Sequence, residues 1–348
     1  MKNLKYLAVL LVVACTSTAD KNSEETDDST EAIEAGVLNV YTHRHYDADK
    51  VAFDKFTEAT GIQVNVVKAG ADELINRLEM EGANSPADLL ITVDAAKLNR
   101  AKAMGLLQPV EAETNNLPKF IDKDKMWYAM TYRARVIVYD RAEVDPNNLS
   151  TYEDLSSEKW DNEILIRSST SSYNQSLLSS IIFENGKEAA LDWADGVAGN
   201  MARQPKGGDR DQIKAMAADV GNLSVVNTYY VGLMLNSENR EEVEVAQKVG
   251  VFFPNQDGRG AHINISGIGV TKNAPNKKNA IKFIEFMTGE EIQKFYASNS
   301  FEYPVNAQVE PDSTVAAWGE FKADDLAYAD NPALLEDALE IFDEVGWN

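Results

Sequence analysis

Leu223-Ser-Val-Val-Asn-Thr-Tyr-Tyr-Val-Gly232 is an apolar run that ends in two adjacent tyrosines and a glycine. Successive side chains on a strand point to opposite faces, and on a helix they diverge by about 100°. Tyr229 and Tyr230 therefore converge on one point only from a turn where a strand gives way to a helix. Such turns, at the carboxyl ends of strands, are where open α/β sheets bind ligands. His43-Arg-His-Tyr46 follows a strand-like run at 37–41 in the same way, and Tyr173 sits in the polar loop Ser168-Ser-Thr-Ser-Ser-Tyr-Asn-Gln-Ser176. The three loops are expected to meet around one metal ion.

Outward from these loops, strand and helix signals alternate. Runs 37–41, 62–66 and 88–93 read as strands and 47–60, 71–81 and 95–104 as helices, with Gly61 and Gly105 closing two of them. That order predicts an α/β fold, a parallel sheet with helices on both faces. Residues 126–140 read as one extended segment, long enough to leave one lobe and enter another. Beyond it, 152–160, 174–184, 187–199, 209–218, 276–288, 290–298 and 333–345 read as helices, and 163–167, 249–253 and 263–271 as strands.

With 348 residues and 44% apolar content, the chain can bury a core large enough for two lobes. Residues 1–14 combine a basic start with an apolar run too short to anchor in a bilayer. They lead into Val12-Val-Ala-Cys15, which resembles the lipobox of bacterial lipoprotein signal peptides. Cys15 is the only cysteine, so it makes no disulfide within the chain, and lipid attachment would account for it. Residues 15–36 then read as a disordered acidic tether between a membrane and the folded part. The net charge of −23 argues against nucleic acid, which requires clustered Lys and Arg. A periplasmic or other extracytoplasmic, lipid-anchored protein is expected.

Enzyme signatures are missing: no Gly-x-Ser-x-Gly elbow, no Gly-x-x-x-x-Gly-Lys loop and no His-Glu-x-x-His. With three histidines (His43, His45, His262) and one thiol, a zinc site is poorly supplied. The tyrosines carry more information. A phenolate is a hard, charged oxygen donor and selects hard cations. Tyrosine titrates near ~10, so only a strongly polarising ion holds several phenolates at neutral pH, and ferric iron does this best. Three phenolates cancel its charge, and an imidazole completes the shell without changing that balance. Taken alone, however, Tyr229–Tyr230 reads more simply as one core and one surface aromatic.

Leu38-Asn-Val-Tyr-x-x-Arg-His-Tyr46, Phe56-Thr-Glu-x-Thr-Gly-Ile62, Asn84-Ser-Pro-Ala-Asp-Leu-Leu90, Tyr173-Asn-Gln-Ser, Asn227-Thr-Tyr-Tyr-Val-Gly232 and Val251-Phe-Phe-Pro-Asn-Gln256 resemble the ferric iron-binding proteins of bacterial ABC importers. The likeness is greatest to the lineage in which a histidine and several tyrosines hold the ion. It implies a two-lobe periplasmic-binding-protein fold with a hinge of crossing strands. Residues 37–137 would form the first lobe and 138–262 the second, with 263–348 returning to the first and adding C-terminal helices. It also implies Fe(III) in the cleft, held by His45 and Tyr46 from the first lobe and by Tyr173, Tyr229 and Tyr230 from the second. The partner would be an ABC permease. A hinged two-lobe binder has no need to self-associate, so a monomer is expected.

Two departures from the resemblance stand out. Related sequences often carry an arginine three residues beyond the tyrosine pair, where this chain has Leu233. Arg44, Arg135 or Arg210 could supply that charge and Asp209 a contact behind the ligands, though each also suits an ion-paired or helix-capping role. His43 stands where the family more often has a small polar residue, and reads as an exposed imidazole; His262 reads as a structural hydrogen-bonding residue. The expected function is extracytoplasmic capture of ferric iron and its delivery to the permease, not catalysis. The alternatives are a binding protein for a small organic cation such as a polyamine, and an extracytoplasmic enzyme or redox sensor on the same fold.

Overall fold

The computed structural model describes residues 36–325 and 327–348. The expected signal peptide, Cys15 and the tether up to residue 35 lie outside the described residues. The strands are β1 (Val37–Thr42), β2 (Gln63–Lys68), β3 (Leu89–Thr92), β4 (Trp127–Asp140), β5 (Ile164–Leu165), β6 (Leu223–Asn227), β7 (Val249–Phe252), β8 (Ile263–Val270) and β9 (Tyr303–Pro304). They form one sheet in the order β2-β1-β3-β8-β4-β6-β5, with β7 and β9 also paired to β4.

At the amino end the expected alternation holds. Helices α1 (Asp47–Thr60) and α2 (Ala71–Glu81) connect the parallel strands β1, β2 and β3, and α3 (Ala95–Ala103) follows. Ala52, Phe53 and Phe56 form the buried face of α1, which Gly61 closes at φ 71° with its N–H on the Thr57 carbonyl. Among the strands of the described residues, the parallel pattern recurs at β5–β6 alone. Elsewhere the sheet is antiparallel, because β8 runs against β3 and β4, and β4 runs against β6 and β7.

The cause is β4 itself. Its 14 residues pair with β8 as far as Ala134 and with β6 from Arg135 onward. One strand is thus shared by two groups of strands, a two-lobe α/β arrangement crossed by a common element. Burial is continuous along it except at Tyr132 and Tyr139, as a strand enclosed on both faces requires.

The helices around the second group of strands are α4 (Ser172–Asn185), α5 (Lys187–Gly199), α6 (Asp209–Met216), α7 (Thr228–Leu235) and α8 (Arg240–Lys248). Residues 152–160, expected to be one helix, form two short 3-10 turns, Glu153–Ser156 and Glu158–Trp160, because Ser157 between them is extended at ψ 138°. The sequence reading missed α8, which buries only Glu242 and Ala246 and so has almost no apolar stripe. Later, α9 (Lys277–Thr288) buries Phe283, Ile284 and Met287 beside the first strands, and α10 (Glu290–Ser300) packs on α9 and α1. A short α11 (Ser313–Ala316) precedes α12 (Ala333–Glu344). The last of the expected C-terminal helices, α12, packs on α4 and α5, where Trp347 lies 6.0 Å from Trp193. Among the described residues no helix is long and apolar enough to cross a membrane.

Candidate metal centre

Each tyrosine singled out above stands at the start of a helix. Tyr46 is the N-cap of α1, Tyr173 lies in the first turn of α4, and Tyr229 and Tyr230 follow Thr228 in the first turn of α7. Tyr173 was expected in a loop; α4 begins earlier than its apolar pattern suggests, since Ser172 and Asn174 already have helical backbone. Each side chain thus leaves the backbone at a junction where a strand or loop gives way to a helix.

The side chains converge. The Tyr46 hydroxyl lies 3.1 Å from that of Tyr173 and 3.3 Å from that of Tyr229, and the latter two are 3.4 Å apart. The Tyr230 ring lies tilted by 31° against Tyr229 with centroids 4.0 Å apart, and His45 tilts against Tyr46 at 5.1 Å. Donors around an ion with bonds of about 2 Å sit about 2.8 Å apart in an octahedron and about 3.3 Å apart in a tetrahedron. The phenol triangle has that size. A cleft of about 340 Å³ opens beside it, bordered by His43, His45, Tyr173 and Tyr230.

Without a cation Tyr46, Tyr229 and Tyr230 stay protonated. Burial first, and then the neighbouring Tyr173, push Tyr46 and Tyr229 well above the usual tyrosine range, and Tyr230 is raised for the same reasons. Guanidinium groups surround the cluster. Arg44 lies 4.4 Å from the Tyr46 ring centre; Arg133, Arg135 and Arg167 lie 5.3, 5.7 and 5.8 Å from that of Tyr173. Burial opposes the charge of Arg133, but its surroundings raise its pKa on balance, and while the phenols are neutral the charge that faces it is the Glu302 carboxylate at 3.5 Å.

Of the residues proposed to stand behind the ligands, Arg44, Arg135 and Asp209 are at the cluster. Asp209, wholly buried, accepts from Arg135 at 2.6 Å, from Arg167 at 2.9 Å and from the Asn227 N–H at 3.2 Å, so it ties α6 to the end of β6. Arg210 is not there. It points to Glu242 of α8 at 3.7 Å. His43 is half-buried rather than exposed; burial and then His45 lower its pKa to about 4 and keep it neutral. His262 is wholly buried with Nε2 3.0 Å from the Ser176 hydroxyl, a structural placement. Leu233 packs beside Tyr229 and Phe301. Arg133, Arg167 and Glu302 were not foreseen. Arg133 left a signal, a second charge in the apolar strand at i, i+2 from Arg135 and hence on the same face.

The profile of the bacterial extracellular solute-binding proteins matches residues 51–323. "Iron uptake protein A1" of Synechocystis is 45% identical over 340 residues, 97% of this chain and 93% of that one. The chain belongs to the bacterial extracellular solute-binding protein family. Two solved structures share the fold of this solute-binding protein closely. A Trichodesmium protein in complex with iron and citrate ligands is 46% identical with a TM-score of 0.83, covering 90% of this chain and 100% of that one. The ferric binding protein from Campylobacter jejuni is 45% identical with a TM-score of 0.85, covering 89% and 100%. As an extracellular solute-binding protein it works outside the cytoplasm, and it needs a cleft and a donor set rather than a catalytic group.

Proposed function

We propose that this solute-binding protein captures ferric iron and delivers it to an ABC permease, with Tyr46, Tyr173, Tyr229, Tyr230 and His45 as the ligands. The observation that carries the reading is the triangle of phenol oxygens with 3.1–3.4 Å sides. The names of its relatives, an iron uptake protein and a ferric binding protein, point the same way. Residues 37–137 and much of the segment after 263 act as one lobe and 138–262 as the other, with β4 and β8 as the crossing strands. Iron meets the tyrosines of the second lobe first, and its charge displaces the phenolic protons. Tyr46 and His45 engage as the lobes close.

A small organic cation fits the cleft less well. Two carboxylates border it, Asp72 and Glu73, and Asp72 is already taken by Lys97 at 2.8 Å and by Arg100. The deciding experiment is a visible absorption titration of the iron-free protein with ferric citrate. A tyrosinate-to-iron charge-transfer band saturating at about one equivalent, and lost in Tyr229→Phe/Tyr230→Phe, supports the assignment. A folded protein without the band overturns it.

The chain acts as a monomer anchored through a lipid on Cys15. Light scattering tests the first point. Labelling with a radioactive fatty acid, compared between wild type and Cys15→Ser, tests the second.

A further inference from the structure

We infer that residues 300–304 form a strap that sets the positions of the tyrosines relative to one another, with Glu302 as its positioning residue; the inference rests on the ferric-iron reading above. Glu302 is wholly buried in the loop between α10 and β9. Its carboxylate accepts from the two terminal nitrogens of Arg44 at 2.9 and 3.3 Å, from the Thr131 hydroxyl at 2.9 Å and from the Ser300 hydroxyl at 3.1 Å. The Arg44 Nε is taken in turn by Asp49 at 3.0 Å. A guanidinium held at every nitrogen has one orientation, and this one lies against the ring of Tyr46, two residues along the chain.

The adjacent residue reaches the other side of the site. Phe301 ends α10 in the left-handed region, φ 54° and ψ 26°, where a helix usually places glycine. Its side chain fills the space over Gly232, two residues beyond Tyr230 on α7: a Cβ added there would stand 2.6 Å from the Phe301 Cβ. Phe301, Tyr229 and Tyr303 belong to one apolar cluster. Tyr303 then pairs with Tyr132 of the shared strand, next to Arg133, and the two rings stack at 5.1 Å. One short segment therefore touches the loop carrying His45 and Tyr46, the helix carrying Tyr229 and Tyr230, and the strand common to both lobes. A helix cap with no further task would be better served by glycine.

The test uses the full chain loaded with ferric citrate, as wild type, Glu302→Gln, Phe301→Gly and Glu310→Gln, the last an exposed carboxylate that serves as control. A strap that positions ligands sets the energy of the charge-transfer band and the rate of iron loss to a competing chelator. A purely structural one sets only the melting temperature. Glu302→Gln is expected to move the band and speed iron loss about tenfold, the scale of one lost buried hydrogen bond to a charged group, and Phe301→Gly to move both in the same direction, with the control unchanged. Phe301→Gly relaxes the backbone, so it decides the matter if Glu302→Gln fails to fold. Folded variants with wild-type band and release rate overturn the strap alone. A wild type without the band overturns the iron reading and the strap together.

Discussion

The Tyr46 hydroxyl stands 3.1 Å from the Tyr173 hydroxyl across 127 residues of chain. The first phenol follows β1 and the second opens α4, on opposite sides of the shared strand β4. Two phenolates could not remain at that separation without a cation between them. The iron-free site therefore does not hold both as phenolates, and a small ion of high charge is what allows it.

Proton release follows from that state. Tyr46, Tyr229 and Tyr230 all titrate above the ordinary tyrosine value, chiefly through burial. They are protonated throughout the physiological range, and each phenol that binds gives up its proton, so the four-tyrosine ligand set releases about four protons as iron binds. Apparent affinity rises with pH and falls steeply as pH drops. Titration of the protein with iron in a pH-stat counts the protons, and a count of about zero would rule out phenolate ligation.

Single phenols are separable from the fold. Tyr173→Phe is expected to weaken iron binding by about 100-fold or more, roughly 3 kcal/mol for one anionic donor. The iron-free protein should lose little stability, because the Tyr46 and Tyr229 hydroxyls still bond each other at 3.3 Å. Chelator competition and thermal melts of the same variant check both halves.

Neighbouring residues 209 and 210 should behave oppositely. Asp209→Ala strands Arg135, a wholly buried guanidinium, and is expected to cost about 3–5 kcal/mol, the usual penalty for breaking a buried pair. Arg210→Ala removes a partly exposed contact and should cost less than about 1 kcal/mol, with iron binding unchanged. Denaturant unfolding of the two variants measures the contrast.

Acid should weaken the iron-free fold through its histidines. His43 is lowered to about 4 and His262 well below its ordinary value, in both cases mainly by burial. A histidine depressed in the folded state leaves the unfolded chain holding more protons, so its contribution is complete above about pH 6.5 and is lost as pH falls toward its folded pKa. For half-buried His43 the slope is about 1 kcal/mol per pH unit after allowance for solvent. Melting curves from pH 7 to 4.5 should be flatter for His43→Asn than for wild type.

Much of the tyrosine cluster was legible because its residues break the pattern around them. Tyr229 and Tyr230 interrupt an apolar strand just before a glycine, and the turn they implied is the β6–α7 junction at Thr228. Tyr173 was visible as the one aromatic in a serine-rich run, but the helix that aims it was placed too late. Arg210 was misplaced for a simple reason: one step along a helix rotates the side chain by about 100°. With Asp209 turned into the core, Arg210 faces Glu242. Glu302 was not legible, since Ser300-Phe-Glu-Tyr303 reads like any loop carboxylate until Arg44 is folded against it.

Candidate donors, most of the helix and strand order and the existence of a crossing segment were legible in sequence alone, because residue type, short-range periodicity and spacing are local properties. Which donors share a point was decided only by the tertiary structure. The phenols of Tyr46, Tyr173 and Tyr229 meet because β4 is shared by two groups of strands whose antiparallel pairing no local pattern specifies. The charges around them were likewise decided there: burial removes water, and only the partner each guanidinium then finds determines whether it faces a phenol or a carboxylate.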